Sequence, residues 1–258
     1  METVEHHGRE TAYRVTGGDG PTTLFVHGSG GTHRVWANQY GPDGPRPAVA
    51  LDLSGHGDSE DVDADPGRET LRAYAADVRA VARETDAAVL VGNSLGGAVV
   101  LSILLDGALD PAGAVLQGTG AKLAVSASLH DALAEDFEAA VEALHGPDRL
   151  FHDADAEAVE RSKAQFRATG RAVTERDFLT CHRFDVRERL AEIATPVLAL
   201  VGEHDQLTPV AYHEALAEGV TDGRLTVVED AAHLAMVERP GAVSGAIARF
   251  RDRVVQGP

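Results

Sequence analysis

Residues 90–98 read "LVGNSLGGA": an apolar run, a serine between two glycines, then a long apolar stretch. The five residues "GNSLG" satisfy G-x-S-x-G, a pattern short enough to arise by chance. Its context makes it informative. The run before it, "AAVLVGN" (87–93), reads as a buried strand, and the nearly all-apolar 95–106 reads as a helix packed on a sheet. A serine at such a strand–turn–helix junction sits on a tight turn that projects its hydroxyl from the end of the strand. The bland alternative is a turn that merely needs small residues.

Working outward, further short apolar runs read as buried parallel strands. They are "TTLFVHG" (22–28), "PAVALDL" (47–53), "AGAVLQG" (112–118), "PVLALVG" (196–202) and "RLTVVED" (224–230). "TAYRVTG" (11–17) alternates and suits an edge strand. Helical spacing joins Leu71, Tyr74, Ala75, Val78 and Val81/Ala82 in 69–85, and Val243, Ile247 and Phe250 in 238–254. Alternating strands and helices predict an α/β fold with a mostly parallel twisted sheet covered on both faces. Between 119 and 194 the strand signal stops and only amphipathic helix patterns remain. Leu129, Leu133, Phe137, Val141 and Leu144 form one stripe, Val159 and Phe166 mark a second, and Phe178, Leu179 and Phe184 a third. That is too long for a simple connection. The expected organisation is a core of 1–118 and 195–258 with a helical cap, 119–194, inserted over the C-terminal edge of the sheet. The Gly/Pro-rich "GPDGPRP" (41–47) reads as an exposed turn.

Three more motifs fall at predicted strand ends. "HGSGG" (27–31) can bring a backbone N–H near Ser94; the N–H groups of Ser29 and Leu95 would then form a two-donor oxyanion hole. Its glycine spacing fits neither a dinucleotide loop nor a Walker loop. "LVGEHDQLTP" (200–209) carries Asp205 and "EDAAHLAMVERP" (229–240) carries His233. A serine hydroxyl is a weak nucleophile at neutral pH; it needs a histidine to take its proton and a carboxylate to hold that histidine's tautomer. Ser94, Asp205 and His233 follow one another in the order Ser, acid, His.

With "HGSGG", "DLSGHGDS" (52–59), "GNSLGG", "GEHDQLTP" and "AAHLAMVERP" in this order, the sequence resembles the α/β-hydrolase-fold enzymes, of the capped esterase, lactonase and C–C hydrolase type, over roughly 11–252. The resemblance implies Ser94 as nucleophile, Asp205 as orienting acid and His233 as base, with no metal and no organic cofactor. Ala232 stands where the family usually has glycine before the histidine. A serine at 94 argues against dehalogenases and epoxide hydrolases of this fold, which use aspartate there. The expected reaction is cleavage of an ester-like bond of a small molecule through an acyl-enzyme. A C–C bond hydrolase, an enol-lactonase, a cofactor-free haloperoxidase or perhydrolase, and a non-hydrolytic ligand sensor remain alternatives.

Other residues carry plainer readings. His27 and His56 are expected to brace loops, His204 to be exposed, and the pair His6/His7 lacks a third metal ligand. Glu229 and Asp230 are secondary candidates for the acid, while Trp36 belongs either to the pocket or to the core. The lone cysteine, Cys181, is read as structural. A formal net charge of −18, with only Lys122 and Lys163 as lysines, disfavours nucleic-acid binding. It fits either a salt-adapted protein of a halophilic microbe or a codon-biased genome. No apolar run approaches the roughly 20 residues of a membrane span, and the polar N-terminus lacks the apolar centre of a signal peptide, so a cytoplasmic protein is expected.

Overall fold

The apolar runs become strands because their β-branched and leucine side chains are covered on both faces of one sheet. A computed structural model describes residues 1–42 and 44–256. The strands are β1 (Glu2–His6), β2 (Arg9–Thr16), β3 (Thr22–Val26), β4 (Ala48–Leu51), β5 (Ala87–Asn93), β6 (Gly113–Gln117), β7 (Val197–Gly202) and β8 (Gly223–Val228). They lie in the order β1-β2-β4-β3-β5-β6-β7-β8. Pairing is antiparallel from β1 through β2 to β4 and parallel from there to β8.

Two expectations change at the sheet's edge. β2 is not the edge strand, because β1 pairs along it from Glu2↔Tyr13 to His6↔Arg9. "ETVEH" is largely solvent-exposed, so it carries no apolar signature of a strand. The expected turn at 41–47 includes Asp43, which lies outside the described residues.

Period-2 alternation splits the core. Leu24, Val26 and Leu90 face α1 (Arg68–Glu84) and α2 (Leu95–Asp106) with Tyr74, Val78, Val81 and Leu101. Phe25, Val91 and Val115 point the other way, onto Val243, Ile247 and Phe250 of α9 (Pro240–Gln256). Each such fully buried side chain contributes roughly 1.5–3 kcal/mol.

Between β6 and β7 the chain forms α3 (Ala127–Glu135), α4 (Phe137–Leu144), α5 (Ala156–Thr169) and α6 (Arg171–Arg183). The stripe from Leu129 to Leu144 is cut in two at Asp136. Its carboxylate accepts from the Ala139 N–H at 3.1 Å and so starts a new helix. α6 is fastened to the sheet layer by polar bonds: Asp177 accepts from Tyr74 OH at 2.6 Å and faces His56 Nε2 at 3.0 Å. The short helices α7 (Val210–Gly219) and α8 (Ala235–Glu238) follow β7 and β8. No described helix is long and apolar enough to cross a membrane.

Candidate active site

The C-terminal ends of the parallel strands meet beneath the inserted helices, and a cavity of about 900 Å³ lies between them. Ser94 lies between β5 and α2, at the N-cap of α2, with φ 55° and ψ −119°, a conformation that costs an ordinary residue of order 1–3 kcal/mol. The elbow is held there from several sides. Ser94 N–H donates to Gln117 O at 3.0 Å, and Ser94 O accepts from the N–H groups of Gly97 and Ala98. Thr119 Oγ1 adds a third donor to Ser94 O at 2.8 Å. Glycines around the elbow answer to close approach: a methyl group on Gly96 would stand 2.5 Å from His27 O, and one on Gly28, in the loop after β3, would stand 2.8 Å from Ser94 Cβ.

His233 follows β8, and its Nδ1 faces Asp205 Oδ2 at 2.8 Å. Asp205 is buried and also accepts from Leu207 N–H (2.8 Å), Thr208 N–H (2.9 Å) and Thr208 Oγ1 (2.7 Å). Burial works to raise its pKa, but His233 and the Thr208 donors outweigh that and hold the carboxyl below its ordinary value. Asp205 therefore stays ionised beside the imidazole. Among the described residues no hydrogen bond joins Ser94 Oγ to His233, although both line the cavity. Such bonds are often long in an unliganded site and tighten around substrate.

The N–H groups of Ser29 and Leu95 have no acceptor among the described residues. Ser29 lines the cavity, whereas the Leu95 side chain is fully buried in the core, so only its backbone is relevant. The Leu95 N–H belongs to the unpaired first turn of α2, where the helix dipole also favours negative charge. Trp36 does not line the cavity. It is fully buried against Phe25, with ring centroids 5.1 Å apart, because the short helical turn 33–36 folds inward under the sheet. Glu229 and Asp230 are exposed, away from the His233–Asp205 pair. Ala232 is buried without a positive φ, so a Cβ is accommodated where glycine was expected.

Several supporting residues escape a reading of the sequence. Thr208 both caps the Asp205 turn and lies 3.3 Å from His233 Nδ1. The only sequence signal is the aspartate's own turn tendency, its carboxylate accepting from the backbone N–H two residues on, which does not single out Thr208. His213, on α7, accepts the Thr119 N–H at 3.0 Å and so holds the residue that clamps Ser94 O. Burial pushes His213 down to about 4, which keeps it neutral for this task. His27 does the same on the other side: its Nε2 accepts from Leu53 N–H, its Nδ1 donates to Gly28 O, and burial lowers it to about 4. Outside the cavity, Asp148, His152 and His204 bring possible metal-ligand atoms within 4.8 Å of one another. The two imidazoles stack at 3.7 Å and 14°, so their lone pairs run side by side instead of converging.

A model of the alpha/beta hydrolase family matches residues 23–246. This chain belongs to that family. The α/β hydrolase is similar to a thermophilic esterase of known structure, with 29% identity and a TM-score of 0.87 over 98% of this chain and 97% of the other. It is 28% identical to the dihydrolipoyllysine-residue acetyltransferase component of the acetoin cleaving system of Cupriavidus necator, over 90% of this chain. It is also 40% identical, over 27% of its length, to 3-oxoadipate enol-lactonase 2 of Acinetobacter baylyi. The hydrolase spans 64% and 26% of those two curated relatives.

Proposed function

We propose that this α/β hydrolase cleaves carboxylic esters of small molecules through Ser94, His233 and Asp205. The observation that carries the reading is the convergence on one cavity of a serine held at positive φ and a histidine bonded to a buried, ionised aspartate. His233 Nε2 takes the proton as Ser94 Oγ bonds to the ester carbonyl carbon, and the carbonyl oxygen becomes an oxyanion. The Ser29 and Leu95 N–H groups are the donors for that oxyanion, a contribution of about 3 kcal/mol per donor in comparable sites. Collapse breaks the bond to the alcohol, which leaves with the proton from His233. Water then attacks the acyl-enzyme, gives its proton to His233, and releases the acid as Ser94 Oγ is reprotonated. Asp205 keeps Nδ1 protonated throughout and stabilises the imidazolium. The helices of 119–194 act as a cap: Leu129, Phe166 and Phe178 line the cavity and would exclude water from an apolar acyl group.

The likeness to an enol-lactonase over part of the chain favours one second reading, an intramolecular ester as substrate. The chemistry at Ser94 is the same, with the leaving alcohol tethered to the acyl group. The test is turnover of short-chain p-nitrophenyl esters by wild type and Ser94→Ala. The expected result is loss of at least about 10³-fold in kcat in the variant, with the fold intact. Equal turnover in both proteins would overturn the assignment.

A further inference from the structure

The inserted helices give the cavity an apolar wall around Leu144, Phe151 and Phe166, and the hydroxyl of Ser162, in the middle of α5, is set into it. Behind the wall lies His145, which follows α4. Its imidazole packs against Phe151 and Phe166, with ring centroids 6.1 and 5.8 Å away. Its Nδ1 stands 2.7 Å from Val141 O, and its Nε2 stands 2.9 Å from Ser162 Oγ.

These two bonds fix where the protons are. A carbonyl oxygen only accepts, so Nδ1 carries the ring proton. Burial lowers the His145 pKa from its ordinary value, so the ring is neutral at pH 7.5 and Nε2 offers a lone pair alone. Ser162 must then donate its single proton to Nε2, and its oxygen turns only lone pairs to the cavity. It accepts no hydrogen bond among the described residues. The other lining hydroxyls differ. Ser126 Oγ already accepts the Leu129 N–H, and Thr32 Oγ1 accepts the Arg34 N–H. Ser29 Oγ faces Cys181 Sγ at 3.9 Å with no fixed donor, and Thr208 Oγ1 is engaged with Asp205. Gln165, one turn along the same face of α5, has the complementary property. Its Oε1 accepts from Thr32 Oγ1 at 3.5 Å, and its Nε2 has no acceptor among the described residues.

Ser162 and His145 do not make a second nucleophile. A neutral carbonyl holds the imidazole in place of a carboxylate, and the N–H groups around Ser162 are spent inside α5, so none faces an oxyanion.

We propose that the substrate's acyl chain carries a hydroxyl group remote from the ester carbonyl, which donates to Ser162 Oγ and accepts from Gln165 Nε2; this rests on the ester-hydrolase reading above. A hydroxyl offers donor and acceptor at one atom. A trans amide directs its N–H and C=O to opposite sides and fits two groups on one helix face poorly. The substrate class is an ester of a hydroxylated aliphatic acid, with its methylenes against Leu144, Phe151 and Phe166.

The test uses p-nitrophenyl esters of straight-chain acids of roughly six to ten carbons, sized to a pocket of this kind, at pH 7.5. Each ends in a hydroxyl, in a methoxy group, which accepts but cannot donate, or in neither. At the best-fitting length wild type should favour hydroxyl over methoxy by about fivefold or more in kcat/KM, mainly through KM. Ser162→Ala should bring that ratio towards one while turnover of the unsubstituted ester holds, which reports an intact fold. Ser162→Thr restores the hydroxyl and should restore the ratio. His145→Phe leaves the size of residue 162 unchanged but frees its proton for a methoxy oxygen, so the ratio should fall there too; this variant carries the test if Ser162→Ala does not fold. Ser128→Ala, at an exposed serine of α3 outside the lining, should keep the wild-type ratio. Turnover by wild type with no preference for the hydroxyl at any length would overturn the subsite and leave the hydrolase reading standing. A ratio undiminished in Ser162→Ala would overturn Ser162 as the acceptor, and one undiminished in His145→Phe would overturn the fixed proton. Turnover of none of the esters would overturn the hydrolase reading, and this inference with it.

Discussion

Ser94 and Phe178 line the same cavity and are held there by different physics. Around Ser94 the backbone is fixed by bonds to Gln117, Gly97, Ala98 and Thr119, and Gly96 has no room for a methyl group. Phe178, on α6, is part-buried and held by apolar packing. The strand-end loops place atoms by directional bonds, which tolerate little change in geometry. The inserted helices place volume and apolar surface, which many side chains can supply. On the proposed mechanism, the first region carries the chemistry and the second selects what reaches it.

The largest expected break in that division is at the acid. Asp205→Asn should reduce kcat by about 10³- to 10⁴-fold while the protein still folds, because an amide can hold His233 in the wrong tautomer. Steady-state kinetics with a p-nitrophenyl ester measures it; a loss below tenfold would place the acid elsewhere.

Two glycines then separate the regions by stability. Gly96→Ala drives a methyl group against His27 O and Val26 O and should cost about 3 kcal/mol or more. Gly170, at the junction of α5 and α6, has φ 83° and nothing within 4 Å of an added Cβ. Gly170→Ala should therefore cost only backbone strain, about 1–2 kcal/mol. Urea denaturation of both variants checks the order, and equal losses would erase the distinction.

pH sharpens the contrast. His27 and His213, under the strand-end loops, are held at about 4 by burial, against 6.5 when unfolded. Each binds a proton more readily in the unfolded chain, so its stability contribution is complete above 6.5 and lost as pH falls towards 4. The upper bound is about 3 kcal/mol per histidine. His56 has the opposite sign. Burial works against its charge, but Asp177 on α6 outweighs that and raises its pKa above 6.5. That contribution is complete below 6.5 and declines as pH rises through the raised value. Denaturation midpoints at pH 7.5, 5.5 and 4.5 should fall steadily, and His213→Gln should flatten the fall. A wild-type curve with no loss down to pH 4.5 would contradict the neutral bracing role.

The smallest effect is expected in the inserted helices. Phe178→Ala should alter KM for apolar acyl groups by a few-fold and kcat by less than about twofold, since it removes wall rather than mechanism. A kcat loss matching that of Asp205→Asn would move chemistry into this region.

The same division explains what is legible in the sequence. Ser94, Asp205 and His233 can be singled out as candidates because each follows an apolar run with a turn signature, and strand ends in a parallel sheet meet at one edge. The inserted helices show only their apolar stripes, and a stripe does not say which residues face a cavity and which face the core. Trp36 shows the same gap, since only the tertiary fold puts it against Phe25. His213 and Thr119 are far apart in sequence, and no local pattern links a helical histidine to a loop N–H. β1 is hidden by its polarity, having little apolar surface to reveal it.

Covalent labelling puts the role of Ser94 to the sharpest trial. The protein would be treated with a fluorophosphonate, digested, and the modified peptide sequenced by mass spectrometry. One adduct per chain is expected, on Ser94, formed far more slowly in His233→Ala. An adduct on another serine, or equal labelling of Ser94 without His233, would show that Ser94 is not the nucleophile that His233 activates.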